Sequence, residues 1–438
     1  MRLPRAVSHP TPAGAPAGRA MMLRVAYQKM RWVIAGWLTL STILNLIDRQ
    51  TLSILAPLLR DHLNLSIQAY ANVVTAFQVS YSVMYTVGGR LVDRIGERIG
   101  MAACILWWSI CTMLTALAQG AWSLAIIRFA LGLGEPANYP AALRATTRWF
   151  PKEERGLPIA MFSSGSAIGN VLAPPLIAGL TLWFGWRSGF VLPGMLGLAW
   201  LAVWLVIYRK PSDYPMTAGQ RSALETEEDR GPQGWFSLLK DRNVLALVLS
   251  RFITDPVWSF YLFWIPEYLK RERGFSLTDI GLYGWMPFLA GAIGGMTAGR
   301  VSDMLITSGL SPVKAKARVL YIAAIIAPLG ILTGSVHSSA AAMFLIAVMA
   351  FVVFSWFINT AAIIPDLVPQ NSIGSVLGFM GTAGSAAGAL FTQMVGYLVS
   401  HYSYVAVFSV AGSMHLLGAL ILRSLLREKA RVTGEITG

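Results

Sequence analysis

Six ionisable side chains stand inside stretches that are otherwise apolar. Asp48 and Arg49 interrupt a first run, Arg128 and Glu135 a second, and Arg251 and Asp255 a third. A charge deep in a low-dielectric medium costs about 2.5–3.5 kcal/mol or more, so it persists where it is paired or lines a cavity. Three of these charges are positive and three negative, so the set can neutralise itself. Arg128 and Glu135 are seven apart, which puts them on one helix face two turns from each other. Arg251 and Asp255 are four apart and can pair within one helix. A guanidinium offers a fork of donors that matches a carboxylate. An acid that loses its arginine to another anion, in a site without water, regains neutrality by binding a proton. The chemistry expected is therefore coupled uptake of an anion and a proton. Arg49 is the expected clamp for a substrate carboxylate. Asp48 and Glu135 are the expected proton carriers, with Arg128 as their counter-ion.

The elements that must hold these groups follow from composition. The chain has 438 residues, 55% hydrophobic and 13% charged. That balance excludes a soluble globular enzyme and a disordered chain. A bilayer core needs roughly 20 apolar residues per helix. Apolar runs predict twelve transmembrane helices, over 30–60, 70–92, 100–119, 121–145, 156–181, 186–208, 243–269, 279–301, 318–336, 339–364, 372–399 and 403–425. The expected fold is an all-α membrane protein of two six-helix halves. Its expected parts are a disordered tail (1–29), a first half (30–208), a polar linker (209–242) with an acidic cluster at 225–229, a second half (243–425) and a short tail (426–438). The net charge of +14 is unevenly placed. Only Arg60, Arg187, Lys270, Arg271 and Arg273 fall on the side away from the termini; most other Lys and Arg fall on the side of the termini and linker. That asymmetry predicts cytoplasmic termini and a multi-pass protein of a bacterial-type inner membrane. It explains the basic balance through the lipid bilayer, without nucleic acid. Cys104 and Cys111 share one expected helix, about 10 Å apart along its axis, too far for a disulfide. The five histidines are scattered, with no metal-ligand spacing. No metal and no cofactor beyond the proton is expected. No nucleophile elbow, HExxH or phosphate-cradling loop points to an enzyme.

A repeat supports two halves. Gly89-Arg-Leu-Val-Asp93-Arg94-Ile-Gly96-Glu-Arg98 follows the second expected helix, and Gly299-Arg-Val-Ser-Asp303 follows the eighth, 210 residues later. Glycine lets one helix end approach its neighbour. The aspartate can then meet a helix end or a basic side chain. Gly89, Asp93, Arg94, Gly96, Arg98, Gly299 and Asp303 are the expected gating residues. Glycines at spacing four (Gly165/Gly169, Gly291/Gly295/Gly299, Gly374/Gly378, Gly384/Gly388) predict further close helix contacts. The Gly89–Arg98 pattern, echoed in the second half, resembles the signature of the major facilitator superfamily, which implies two six-helix halves rocking about a central site.

A closer resemblance follows. Leu46-Ile-Asp48-Arg49-Gln-Thr-Leu-Ser53 is similar to the first-span motif of the anion:cation symporter family. Arg128-Phe-Ala-Leu-Gly132-Leu-Gly134-Glu135-Pro-Ala-Asn138-Tyr-Pro140, followed by Arg148-Trp149-Phe150-Pro151, is similar to its fourth span. Asp255-Pro256-Val-Trp258 with Phe263-Trp264-Ile-Pro266-Glu-Tyr268-Leu269 resembles the seventh span of its hexuronate-transporter branch. The resemblance implies proton symport of an organic anion, typically a sugar acid such as a hexuronate or aldonate. It also implies that Asp48, Arg49, Arg128 and Glu135 bind and couple. Many members carry tyrosine where this chain has Leu46, and some carry glutamine where it has Ser166. These differences leave the particular sugar acid open.

Polyols need hydrogen-bonding groups and flat apolar surface. Tyr81, Tyr85, Asn138, Ser166, Trp258 and Asn359 are the expected further lining residues. Bundle packing or lipid contact is the plain alternative for each. The expectation is a monomeric importer. Alternatives are a carrier of another carboxylate, aromatic or dicarboxylic, and a drug/proton antiporter. Buried arginines favour an anion over a cationic drug.

Overall fold

The computed structural model describes residues 17–209, 235–369 and 372–427. Among these residues the chain runs up and down twelve times. The first three spans are Ala17–His62, Ile67–Ile95 and Glu97–Thr115. The fourth is built from Ala121–Gly134, a 3-10 turn at Glu135–Ala137, and Asn138–Trp149. The fifth and sixth are Gly156–Phe184 and Ser188–Ile207. The seventh is Arg242–Arg273, and the eighth combines Leu277–Tyr283 with Met286–Thr307. The ninth joins Pro312–Ile326 to the 3-10 segment Ala327–Gly334, and the tenth joins Ser339–Ala362 to Ile364–Leu367. The last two are Ile373–His401 and Tyr404–Leu425.

Nine of these segments are long and apolar enough to cross a membrane on length and hydropathy alone. The second, fourth and eighth are the others. The second carries polar residues along the face it turns to the eleventh. The fourth is broken where Pro136 cannot donate to the preceding turn. The eighth is broken at Gly284–Trp285, just before Pro287.

The tail expected over 1–29 is corrected from Ala17 onward, where the first helix already begins. The tie is tertiary: the Tyr27 hydroxyl donates to the Trp149 carbonyl at 2.9 Å, and Arg31 pairs with Glu154 at 2.5 Å. Most of the expected linker, with its acidic cluster, lies outside the described residues, as does the tail beyond Arg427. Short caps define several ends. Ser66 caps the second span, Asp241 the seventh, and Ser276 with Asp279 forms a capping box before the eighth. Gly96, at φ +81°, makes the turn between the second and third spans, a conformation that a side chain would strain.

Small residues set the closest approaches. A Cβ on Gly165 or Gly169 would come within 2.7 Å of the Thr39 or Ile43 carbonyl oxygen, so the fifth span lies directly on the first. Gly132 abuts Ser80 and Phe77 of the second, and Gly291 abuts Phe354 of the tenth. Gly384 and Gly388 face Asp255 and Ser259 of the seventh. At Gly299, Gly374 and Gly378 the added atom meets open space, so these three do not mark close contacts. A column of rings binds the first, fourth and sixth spans: Trp37, Trp200, Trp204, Tyr208, Trp149 and Tyr27, with successive centroids 4.2–6.1 Å apart. Trp37 and Trp200 also donate their indole N–H groups to each other's carbonyls.

The first six and last six spans meet along three seams. Ser53 donates to the Leu262 carbonyl, Arg60 pairs with Glu267, and Asp61 pairs with Arg271. Gln68, Thr75, Gln78, Ser82 and Thr86 of the second span bond to residues 382–393 of the eleventh. Gly281 and Gly284 press on Ala178 and Pro174 of the fifth. The seam between the second and eleventh spans runs past mid-depth to Thr86 and Thr382, while the other two gather toward the face away from the chain termini. There Trp258, Gln50, Ile54, Pro174 and Tyr261 enclose a void of about 30 Å³, space for water and not for a sugar.

Candidate functional site

Asp48 and Arg49, Tyr81, and Glu135 each lie about 20 Å from the far-face end of their span at 1.5 Å per residue. One layer of the bundle therefore collects groups from the first, second and fourth spans. Arg49 Nε and Nη2 donate to Glu135 Oε2 at 2.9 and 2.8 Å. Nη2 also donates to the Tyr81 hydroxyl at 3.0 Å and to Asn45 Oδ1 at 3.2 Å. The guanidinium lies over the Tyr81 ring, 4.6 Å from its centroid. Glu135 is fully buried while the Arg49 side chain is 15% exposed. Nη1 of Arg49 makes no hydrogen bond and is not sealed off. The pair thus keeps one donor edge open.

Asp48 lies on the next position of the same helix and is wholly buried. Its two carboxylate oxygens accept no hydrogen bond of acceptable geometry. Arg128, Glu135 and the Thr112 hydroxyl are the polar groups that face it. Arg128 is 2% exposed, leaves Nε and Nη2 unpartnered, and places its guanidinium 5.6 Å from the centre of the Phe190 ring. Glu135 also keeps Oε1 without a partner. Buried polar groups are rarely left unmade, because each costs about 1–3 kcal/mol, more when charged. The unmet atoms of Asp48, Arg128 and Glu135 lie together in one buried cluster.

The other expected lining residues divide. Asn138 is held by the Ser41 hydroxyl, which donates to its Oδ1 at 3.2 Å. Asn359 accepts from Ser302 and donates to the Ser355 carbonyl, tying the eighth span to the tenth. Ser166 is half-buried and Trp258 stands edge-on to Phe354 and Phe288. Tyr85 is half-buried, edge-on to Tyr81 at 5.6 Å, and faces both Arg49 and Arg251.

At the terminus face, Asp93 accepts from Arg144 at 2.7 Å, and Arg98 donates to the Leu205 carbonyl. Arg94 is exposed. The centre of this network is Glu97, which the sequence reading passed over. It takes Arg144 and Arg148 at 3.2 and 3.3 Å and the Tyr208 hydroxyl at 2.9 Å. Asp303, the repeat of Asp93, is exposed and forms no ion pair among the described residues; the neighbouring pair in the second half is Lys316–Asp366.

The pattern of the Major Facilitator Superfamily matches residues 38–392, most of the chain. The chain belongs to the Major Facilitator Superfamily. It is accordingly a multi-pass membrane transporter and not an enzyme. The hexuronate transporter of Escherichia coli (strain K12) is 29% identical over 413 residues, covering 92% of this chain and 95% of that protein. The galacturonate transporter of Dickeya chrysanthemi is 32% identical over 279 residues, covering 62% of this chain and 81% of that one. The crystal structure of a D-xylose-proton symporter shares the fold, with a TM-score of 0.71 at 17% identity over 92% of this chain and 98% of that one. Asn45, which helps hold Arg49, was also passed over; its signal was its spacing of four from that arginine.

Proposed function

We propose that this transporter is a monomeric proton symporter that imports a sugar acid, a hexuronate or an aldonate, with both termini in the cytoplasm. The observation that carries the reading is the Arg49–Glu135 pair, set beside the unpartnered Asp48 and Arg128. Two relatives of this chain are a hexuronate and a galacturonate transporter, which supports the substrate class. The far-face seams are closed in the state described here.

The mechanism follows from charge balance. Without substrate, Glu135 neutralises Arg49. A substrate carboxylate reaches the open Nη1 edge and competes for the same guanidinium. Glu135, fully buried, then lacks its counter-charge, and a proton restores neutrality. Asp48 and Arg128 form the adjoining store through which that proton passes. Binding both ligands leaves the net charge of the cavity unchanged, which lets the loaded carrier rock as readily as the empty one. Tyr81 orients Arg49, and Asn138, Ser166, Trp258 and Asn359 shape the walls. The Gly89–Arg98 turn, with Gly299 and Asp303, serves as the cytoplasmic gate.

The test is uptake of labelled galacturonate or glucuronate into proteoliposomes under an imposed pH gradient. Arg49→Ala abolishes uptake while the protein still inserts. Glu135→Gln keeps some counterflow exchange but no longer responds to the gradient. Uptake by the first variant, or an unaltered gradient response in the second, refutes the reading.

A further inference from the structure

The seventh span carries a second arginine–carboxylate pair that the coupling mechanism does not use. Arg251 Nε lies 2.6 and 2.7 Å from the two carboxylate oxygens of Asp255. The guanidinium lies over the Phe357 ring of the tenth span, 4.0 Å from its centroid. The Asp255 carboxylate is seated against Gly384 of the eleventh span, in the space a Cβ would fill. The side chains are 6% and 15% exposed. Among the described residues Nη1 and Nη2 of Arg251 make no hydrogen bond, and neither is fully buried. The arrangement repeats that of Arg49, with a carboxylate on one edge, an aromatic ring beneath and free donors on the other edge.

A structural brace does not account for it. A pair four residues apart on one helix ties no two spans together. Replacing a buried ion pair by apolar residues of similar shape is often neutral or stabilising. Depth gives the better account. Asp255 and Tyr85 both lie about 27 Å from the far-face ends of their spans, one helical turn below the Arg49 layer. Tyr85 lies within electrostatic reach of both arginines, edge-on to Tyr81 and with its ring against Gly381 of the eleventh span, and its hydroxyl makes no hydrogen bond among the described residues. The two donor–acceptor stations thus differ by about 6 Å in depth along the bundle, an offset no longer than a pyranose ring with its carboxylate.

The second station differs from the first in one respect. Glu135 has Asp48 and Arg128 beside it, whereas Arg251 is the one ionisable group acting on Asp255. With no proton store beside it, the pair stays a fixed dipole with no net charge. Such a dipole accepts from one hydroxyl and donates to another; with its arginine already neutralised, it offers a second carboxylate no net positive charge.

We infer that Arg251 and Asp255, with Tyr85, form the subsite for the hydroxyl-bearing end of the substrate and select acids with one carboxylate over those with two. The inference rests on the reading of the protein as a sugar-acid carrier and names the selectivity of that same cavity.

The experiment is galacturonate uptake and its competition by galactarate, which carries carboxylates at both ends. In Asp255→Asn, the KM for galacturonate rises at least tenfold, since a hydrogen bond to a charged group is lost. Competition by galactarate relative to galacturonate improves at least tenfold, because the station becomes net positive. The response to the pH gradient persists. Arg251→Gln/Asp255→Asn, which removes both charges together, serves as the second variant; it loses galacturonate affinity without gaining galactarate. Ratios within twofold of the parent in both variants overturn the subsite, as does loss of the gradient response in the folded single variant. A parent protein that takes up no sugar acid overturns the proposed function and this inference with it, so the two failures are distinct.

Discussion

Glutamine at position 267 is expected to open the far face of the transporter. Glu267 is buried to 1% side-chain exposure and accepts from Arg60 of the first span and from Arg271 Nε at 3.2 Å. Glutamine keeps the shape and removes the charge. A hydrogen bond to a charged group contributes about 1.5–3 kcal/mol. The Arg60 side chain is only 12% exposed, so without its counter-charge it regains water chiefly when the seam parts. If the contact exists only in the closed state, that energy shifts the closed-to-open ratio by about 10- to 150-fold. Asp61–Arg271 is the control. Its side chains are 55% and 40% exposed, and an exposed pair contributes about 0–1 kcal/mol, so Asp61→Asn shifts the ratio by about fivefold or less. The assay is labelling of Ile54→Cys by a membrane-impermeant maleimide added on that face. Ile54 is 1% exposed and lines the small void beneath the seam. The native Cys104 and Cys111 are both buried, which keeps the background low. Glu267→Gln raises the labelling rate about tenfold or more. An unchanged rate, or an equal effect from Asp61→Asn, refutes the argument.

Two further predictions concern packing and capping. Gly169→Ala forces a Cβ to 2.7 Å from the Ile43 carbonyl oxygen and 2.9 Å from Leu46 Cβ, and overpacking of this kind costs about 1–3 kcal/mol. Its thermal midpoint in detergent falls below the parent's, whereas Gly179→Ala, which meets nothing within 4 Å, does not lower it; equal midpoints for both would show that the first and fifth spans are not in contact. Asp279 stands in the first helical turn after the Ser276 cap, at the solvent-facing entry to the eighth span, where the Ser276 hydroxyl and backbone N–H hold its carboxyl below the usual value of 3.8. A depressed folded value means stability present above the unfolded value and lost as pH falls through the folded one. Asp279→Asn therefore lowers the midpoint at neutral pH, and the difference shrinks as pH falls below the usual carboxylate value and vanishes once the folded carboxyl is protonated. A difference that persists in acid removes the capping role.

How much was legible in advance depends on what kind of signal each residue leaves. Asp48, Arg49, Arg128 and Glu135 were conspicuous because a charge inside an apolar run is costly wherever it points. That Arg49 pairs with Glu135 and not with its neighbour Asp48 was not legible; it depends on how the first and fourth spans rotate against each other. Glu97 drew no notice because its partners come from two distant stretches, Arg144 with Arg148 on the fourth span and Tyr208 at the end of the sixth. Asp303 shows the opposite case. The repeat marked it clearly, yet its surroundings give it no counterpart to Arg144. The early start of the first helix escaped as well, because Ala17–Met30 is not an apolar run and is tied down by Trp149 and Glu154.

The ring column from Trp37 to Tyr27 constrains what can travel during a transport cycle. Each aromatic contact adds about 0.5–1.5 kcal/mol beyond its buried area, so prying the first, fourth and sixth spans apart would forfeit several of them at once. Those three spans therefore behave as a single stiff plank. Arg49 and Glu135 ride on that plank together. Their mutual distance is consequently set by which ligand or proton they hold, and the tilt of the bundle leaves it alone.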